Sequence, residues 1–222
     1  MKGNNMETFK ELYDRTKATK RITSRLFISL KLAIINGLFI PETRINEIDL
    51  SKALDLNVNS LREALKMLEY ENYITFNKGN GYYVKDISLN DLLNWFEMIK
   101  MITNTSAHLI NTSEKTNMIM IKESLKYNHA LSNFIMDKKF HITLAICSRN
   151  QQLVKTMNDL FDRMFWALNT KSFSDIPIEI LNHHDIIADA IIEYSENKSE
   201  NLKEKIEYHM QLHFDYLKLN NE

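Results

Sequence analysis

The chain has 222 residues, a formal net charge of −1, a single cysteine and a hydrophobic share of 44%. That share excludes a disordered chain, and the lone Cys147 excludes an internal disulfide framework and suits a reducing cytoplasm; no apolar run approaches the length that spans a bilayer. Four Gly and two Pro argue against a loop-rich β architecture and for a mostly helical chain of one large or two small domains.

Residues 1–20 are polar and carry Glu7, Glu11 and Asp14. They do not read as a signal peptide, and a partly helical, weakly anchored arm is expected. Ile22, Leu26, Leu30, Ala33 and Ile34 then recur at helical spacing, with Gly37 as the stop. A second helix is predicted from Ile45 to Leu54, a turn at Asp55-Leu56-Asn57, and a third helix through Asn59 to Tyr70. In that third helix Leu61, Ala64, Leu65 and Leu68 form one buried stripe, and Asn59, Arg62 and Lys66 share the opposite face. Its start can be capped by Asn57 or by a Ser60–Glu63 capping box. Tyr73-Ile74-Thr75-Phe76 and Tyr82-Tyr83-Val84-Lys85 read as strands around a turn that carries Lys78.

Two helices, a short turn and a two-stranded wing predict a winged DNA-binding module over residues 21–86. One helix would offer amide, guanidinium and ammonium groups to a major groove. The candidate contacts are Arg44, Asn57, Asn59, Ser60, Arg62, Lys66, Lys78 and Asn80. The charge distribution agrees: residues 1–86 carry 14 Lys and Arg against 11 Asp and Glu, whereas residues 87–222 carry 14 against 18.

From Ser88 onward no strand pattern is evident. Six helices are expected, at Leu89–Asn111, Glu114–Ala130, Asn133–Ser148, Gln151–Lys171, Pro177–Ser195 and Ser199–Leu219. Asn150, the Ser172-Phe173-Ser174-Asp175 run and the Glu196-Asn197-Lys198 run mark breaks between them. Asp137 and His141 stand four residues apart and share a helix face, while His184 and His209 lie on two later helices. Three imidazoles and a carboxylate can converge on a divalent cation: zinc first, with nickel, iron or manganese accepted by the same donors. The competing reading is an ordinary helix pair in which the carboxylate holds an imidazole in place.

The N-terminal part resembles the GntR family of bacterial transcription regulators. The resemblance rests on Ile34-Ile35-Asn36-Gly37 with Pro41, on Ile45-Asn46-Glu47, Leu50 and Leu54, on Leu61-Arg62-Glu63-Ala64-Leu65 with Leu68, and on Gly81-Tyr82-Tyr83-Val84. It implies that Arg62 is a DNA-contacting arginine. Ile48 and Val58 stand where the family usually has arginines. Residues 87–222 resemble the helical FCD effector domain of the FadR-like branch, through Asp137-x-x-Phe140-His141 with Asn150, His184-x-Ile186-Ile187-x-x-Ala190-Ile191 and Ile206-x-x-His209. That resemblance implies a metal held by Asp137, His141, His184 and His209, with His213 as the alternative to His209 and His183 pointing elsewhere. Ile99 and Thr103 occupy positions where an Arg and a Glu are usual, and Lys100 is adjacent. The implied effector pocket takes Lys100 and Asn150 and a small organic acid, expected to be more apolar or less acidic than a dicarboxylate.

The resulting expectation is a cytoplasmic, ligand-responsive regulator. It would bind double-stranded DNA at an inverted repeat as a homodimer, make no use of a membrane, and be no enzyme. Two other classes compete: a metal-dependent hydrolase, and a DNA-binding protein whose second domain only dimerises.

Overall fold

The computed structural model describes residues 3–19, 21–110, 114–126, 130–171, 175–197 and 201–219. The chain divides into two compact units, residues 1–87 with 169–172, and residues 88–168 with 173–222.

The first unit contains α1 (Gly3–Arg15), α2 (Ile22–Ile35), β1 (Arg44–Ile45), α3 (Glu47–Leu54), α4 (Val58–Tyr70), β2 (Ile74–Asn77) and β3 (Gly81–Val84). The N-terminal arm is anchored, contrary to expectation. Phe9 is fully buried against Phe39, ring centroids 5.3 Å apart, and the Arg25 guanidinium lies over Tyr13. One aromatic per turn on an otherwise polar helix is enough to dock it.

Ile45, expected in a helix, instead lies in β1, which pairs antiparallel with β3. The three strands run in the order β1-β3-β2. Asn46 explains the difference: its side chain accepts from the Ile48 and Asp49 N–H groups and so starts α3 at Glu47, two residues later. The turn between α3 and α4 forms at Asp55, held in the left-handed region at φ 52°. Asn57, not Ser60, caps α4 by accepting from the Asn59 N–H at 2.8 Å. Leu61, Ala64, Leu65 and Leu68 of α4 are buried, as their spacing predicts, along with Leu26, Leu30, Ala33 and Ile34 of α2. The wing is closed by Asn80 N–H on the Asn77 carbonyl, with Gly79 and Gly81 at positive φ, and Phe76 pairs with Tyr82 across it.

The second unit is helical: α5 (Leu89–Leu109), α6 (Lys115–Leu125), α7 (Asn133–Cys147), α8 (Gln151–Lys171), α9 (Ile178–Asn197) and α10 (Asn201–Leu219). These match the six expected helices to within a few residues. Glu114 is the N-cap of α6 rather than its first residue, and α6 ends at Leu125, short of Ala130. The expected boundaries at Asn111 and Ser199, and the breaks at Ser172-Phe173-Ser174 and Lys198, lie outside the described residues.

The α5 cap is local chemistry, whereas α7 is also capped by a residue some forty positions away. Ser88 and Asp91 form a capping box on α5, and Asp175 accepts from the first N–H groups of α7. The core gathers Phe96, Phe134, Phe140, Phe161 and Trp166, and Cys147 is buried. Among the described residues no helix is long and apolar enough to cross a membrane.

Candidate DNA interface and buried imidazole cluster

On α4, burying the leucine stripe forces Asn59, Arg62 and Lys66 outward, and all three are exposed. Arg62 is the most constrained of them. Its Nε donates to Glu47 Oε1 on α3 at 3.4 Å while 54% of the side chain stays open to solvent. Arg44 is exposed on β1 opposite Tyr83, and Lys78 and Asn80 are exposed at the wing tip. Asn57 is exposed but spends its side-chain oxygen on the α4 cap, and Ser60 is half-buried. Ile48 is 56% exposed and Val58 half-buried where the resemblance leads one to expect arginines. Met67, Tyr70 and Phe76 are large exposed apolar groups on α4 and the wing that sequence reasoning passed over.

The second unit encloses a cluster of a different kind. Asp137 and His141 on α7, His184 on α9, and His209 and His213 on α10 are each no more than 3% exposed. The Asp137 Oδ1 atom faces four imidazole Nε2 atoms: His184 at 3.0 Å, His213 at 3.3 Å, His141 at 3.4 Å and His209 at 3.9 Å. His141 Nε2 and His209 Nε2 are 3.2 Å apart. The donor atoms of Asp137, His141, His209 and His213 all lie within 4.8 Å of one another. Nitrogen ligands about 2.0–2.1 Å from a divalent ion sit roughly 3.0–3.4 Å from one another. The spacing is compatible with ligands around a shared cation, and the donor chemistry fits one.

Of the expected residues, Asp137, His141 and His209 lie in one group with His213, and His184 stands beside it, tied to the carboxylate by a hydrogen bond. Thr103, which the resemblance marked only as a departure, orients the cluster: its Oγ1 is 2.9 Å from His141 Nδ1, which turns Nε2 toward Asp137. Aromatic rings wall the site. Phe140 stacks on His184 at 4.1 Å, and Phe96 lies 5.0 Å from His213. His183 does not reach the carboxylate. It is buried and stacks on His209 at 5.7 Å and 13°.

Burial pushes His184 down to about 4, against the opposing pull of its hydrogen bond to Asp137. Burial likewise holds His209 well below the ordinary histidine range, helped by its imidazole neighbours. Both rings are neutral near pH 7, the form that donates a lone pair to a metal. Burial alone would raise Asp137, but the His213 and His141 imidazoles and the hydrogen bonds from His141 and His184 outweigh it and hold the carboxyl well below its usual range.

A cavity of about 190 Å³ opens beside His184 and is lined by Ser124 and Leu125 of α6, Met136 of α7, and Ile178, Asn182 and Asp185 among others of α9. Lys100 and Asn150, the expected pocket residues, do not line this cavity. Lys100 pairs with Glu97 at 2.8 Å, and the Asn150 side chain accepts from the Gln152 and Leu153 N–H groups as the cap of α8. The cavity residues carry no motif, because they meet only once α6, α7 and α9 pack.

A winged helix–turn–helix followed by an all-helical unit with a buried Asp/His cluster defines a bacterial-type DNA-binding regulator with a separate helical domain. Residues 22–84 match the profile of bacterial regulatory proteins of the gntR family, and residues 117–212 match the FCD domain. The chain belongs to the GntR family and is a GntR-type transcriptional regulator with an FCD domain. It is similar to the Nta operon transcriptional regulator of Aminobacter aminovorans, 24% identical over 81% of this chain and 86% of that protein. It is also similar to the uncharacterized HTH-type transcriptional regulator YdhC of Bacillus subtilis (strain 168), 25% identical over 86% of this chain and 87% of that one. In fold it is similar to E. coli McbR/YncC, with a TM-score of 0.64 at 15% identity over 92% of this chain and all of that one.

Proposed function

We propose that the chain regulates transcription by binding an inverted-repeat operator as a homodimer, and that a small carboxylate acting at a metal site in the FCD domain tunes that binding. The observation that carries the reading is the convergence of four buried imidazole nitrogens on one carboxylate oxygen, Asp137 Oδ1. Asp137, His141, His184 and His209 would hold the divalent cation, zinc or another first-row ion. When bound, it supplies a positive centre for an anionic oxygen. The cavity beside His184 supports the entry of a small acid there. Lys100, one turn before Thr103 on α5, can exchange Glu97 for the ligand's carboxylate.

Two wings and two recognition helices in a dimer would read two half-sites. Arg62 reads base edges, Asn59 and Ser60 flank it, and Arg44, Lys66, Lys78, Asn57 and Asn80 position the module on the backbone. The effector alters DNA affinity only if it prefers one arrangement of the dimer, with a coupling on the order of 1–3 kcal/mol.

The test has two steps. Elemental analysis of protein purified without chelators should give about one divalent ion per chain. A thermal-shift screen of carboxylates on that protein is then followed by an operator titration with each hit, at fixed salt. Hits that stabilise the protein and change operator affinity by about 5- to 150-fold support the switch. Stabilising hits that leave operator affinity untouched reduce the FCD domain to a scaffold.

A further inference from the structure

The cluster holds one imidazole more than a set of three histidines and one aspartate requires. His213 is 1% exposed, and among the described residues neither of its ring nitrogens has a hydrogen-bond partner. A neutral imidazole carries one N–H and one lone pair, and a core histidine is buried with at least one of them satisfied. His213 Nε2 nevertheless sits 3.3 Å from Asp137 Oδ1 and belongs to the group of donors gathered within 4.8 Å. Asp137 Oδ1 takes a hydrogen bond from His184 at 3.0 Å and forms none with His213. His213 and His209 are one turn apart on α10, so both face the carboxylate from one helix, and their rings meet edge-on at 4.9 Å. Phe96, packed on His213, closes the ring's outer side. His213 Nε2 thus faces the donor atoms of Asp137, His141 and His209 with no hydrogen bond of its own.

We propose that His213 is a fifth protein donor to the cation, alongside Asp137, His141, His184 and His209, and that it leaves the ion one outside position where a four-donor set would leave two. The proposal rests on the metal reading above. Two consequences follow. Five protein donors suit an ion that accepts six ligands, such as nickel, cobalt, iron or manganese, better than tetrahedral zinc. An outside ligand can bind through one oxygen only, so the site selects a single-point carboxylate and rejects a chelating one.

The test uses full-length protein loaded with Co(II). Each imidazole bound through Nε2 contributes one exchangeable, strongly shifted Nδ1–H signal to the proton NMR spectrum. Wild type should show four such signals, and His213→Gln should show three with Co(II) affinity lowered on the order of 10- to 100-fold or more. Malonate, a chelator, should bind the loaded wild type no tighter than acetate, and should gain at least about 10-fold over acetate in His213→Gln. Three signals in the wild type would overturn the five-donor set even if the variant failed to fold. So would an unchanged spectrum and affinity in a folded variant, or a wild-type preference for malonate of that size. A wild type that takes up no Co(II) at all sinks the metal reading itself, which is a separate and distinguishable failure.

Discussion

Two helix faces in this molecule use the same spacing for opposite ends. On α4, Arg62 and Lys66 are four residues apart and face solvent; on α7, Asp137 and His141 are four residues apart and almost wholly buried. The Arg62–Glu47 pair at 3.4 Å is half in water, where such pairs are worth roughly 0–1 kcal/mol. The Asp137–His184 pair at 3.0 Å is out of water, where the polar groups must satisfy one another or destabilise the fold. Periodicity tells which residues share a face, and burial decides whether that face recognises something outside or organises the inside.

The largest effect should come from Asp137. Asp137→Ala removes the carboxylate that four imidazoles face and leaves His184 without its hydrogen bond, and should cost about 1–3 kcal/mol, read from urea denaturation of the metal-free protein. Arg62→Ala in the same assay should stay within about 0.5 kcal/mol. A cost below about 1 kcal/mol for Asp137→Ala would mean that the cluster is not integral to the bundle and that the contrast with α4 is false.

Acid should act on the same side of the comparison. The unfolded chain protonates His184 near its ordinary 6.5, while the fold withholds that proton down to about 4. The unfolded state therefore binds more protons in this window, and stability falls as pH drops from 6.5 toward 4. His209, held low by burial, adds to the loss. Asp137, held below its usual range, loses its contribution in the same direction once pH falls under the ordinary carboxylate value. Thermal melts of metal-free protein at constant ionic strength should show this fall, and a flat profile between those pH values would contradict the burial of neutral rings.

Arg62→Ala tests the exposed face. It should weaken operator binding by about 1–3 kcal/mol and relax selectivity at one base pair, in a gel shift against operator and scrambled duplexes. An equal loss on both duplexes would reassign Arg62 to the phosphate backbone.

Most of the fold could be read from the sequence because helices and wing are local. The leucine stripe of α4, the Gly37 stop and the six later helices follow from spacing and caps that act within a few residues. β1 could not be read, because a two-residue strand exists only through its partner β3, some forty residues on. The anchoring of α1 was hidden for a similar reason: Phe9 finds Phe39 only after folding. At the site, Asp137 and His141 announce themselves by spacing, but His184, His209 and His213 could be joined to them only through resemblance. That both histidines of α10 face the carboxylate, and that Thr103 holds His141, are tertiary facts without a sequence signature.

The smallest expected effect sharpens the comparison most. Glu47 both pairs with Arg62 and sits in the first turn of α3, where its charge favours the helix N-terminus. Glu47→Gln keeps the shape, removes the charge and frees the Arg62 guanidinium. If the pair competes with DNA, operator binding should tighten, by no more than the roughly 0–1 kcal/mol of an exposed ion pair, and the gain should shrink as salt rises. Fold stability should hardly move, since the helix-terminus contribution is typically about 0.3–1 kcal/mol. Weaker operator binding by Glu47→Gln would reverse the assignment. Glu47 would then be a brace that aims Arg62 at the groove, and the exposed face would share with the buried cluster a carboxylate that orients the group doing the binding.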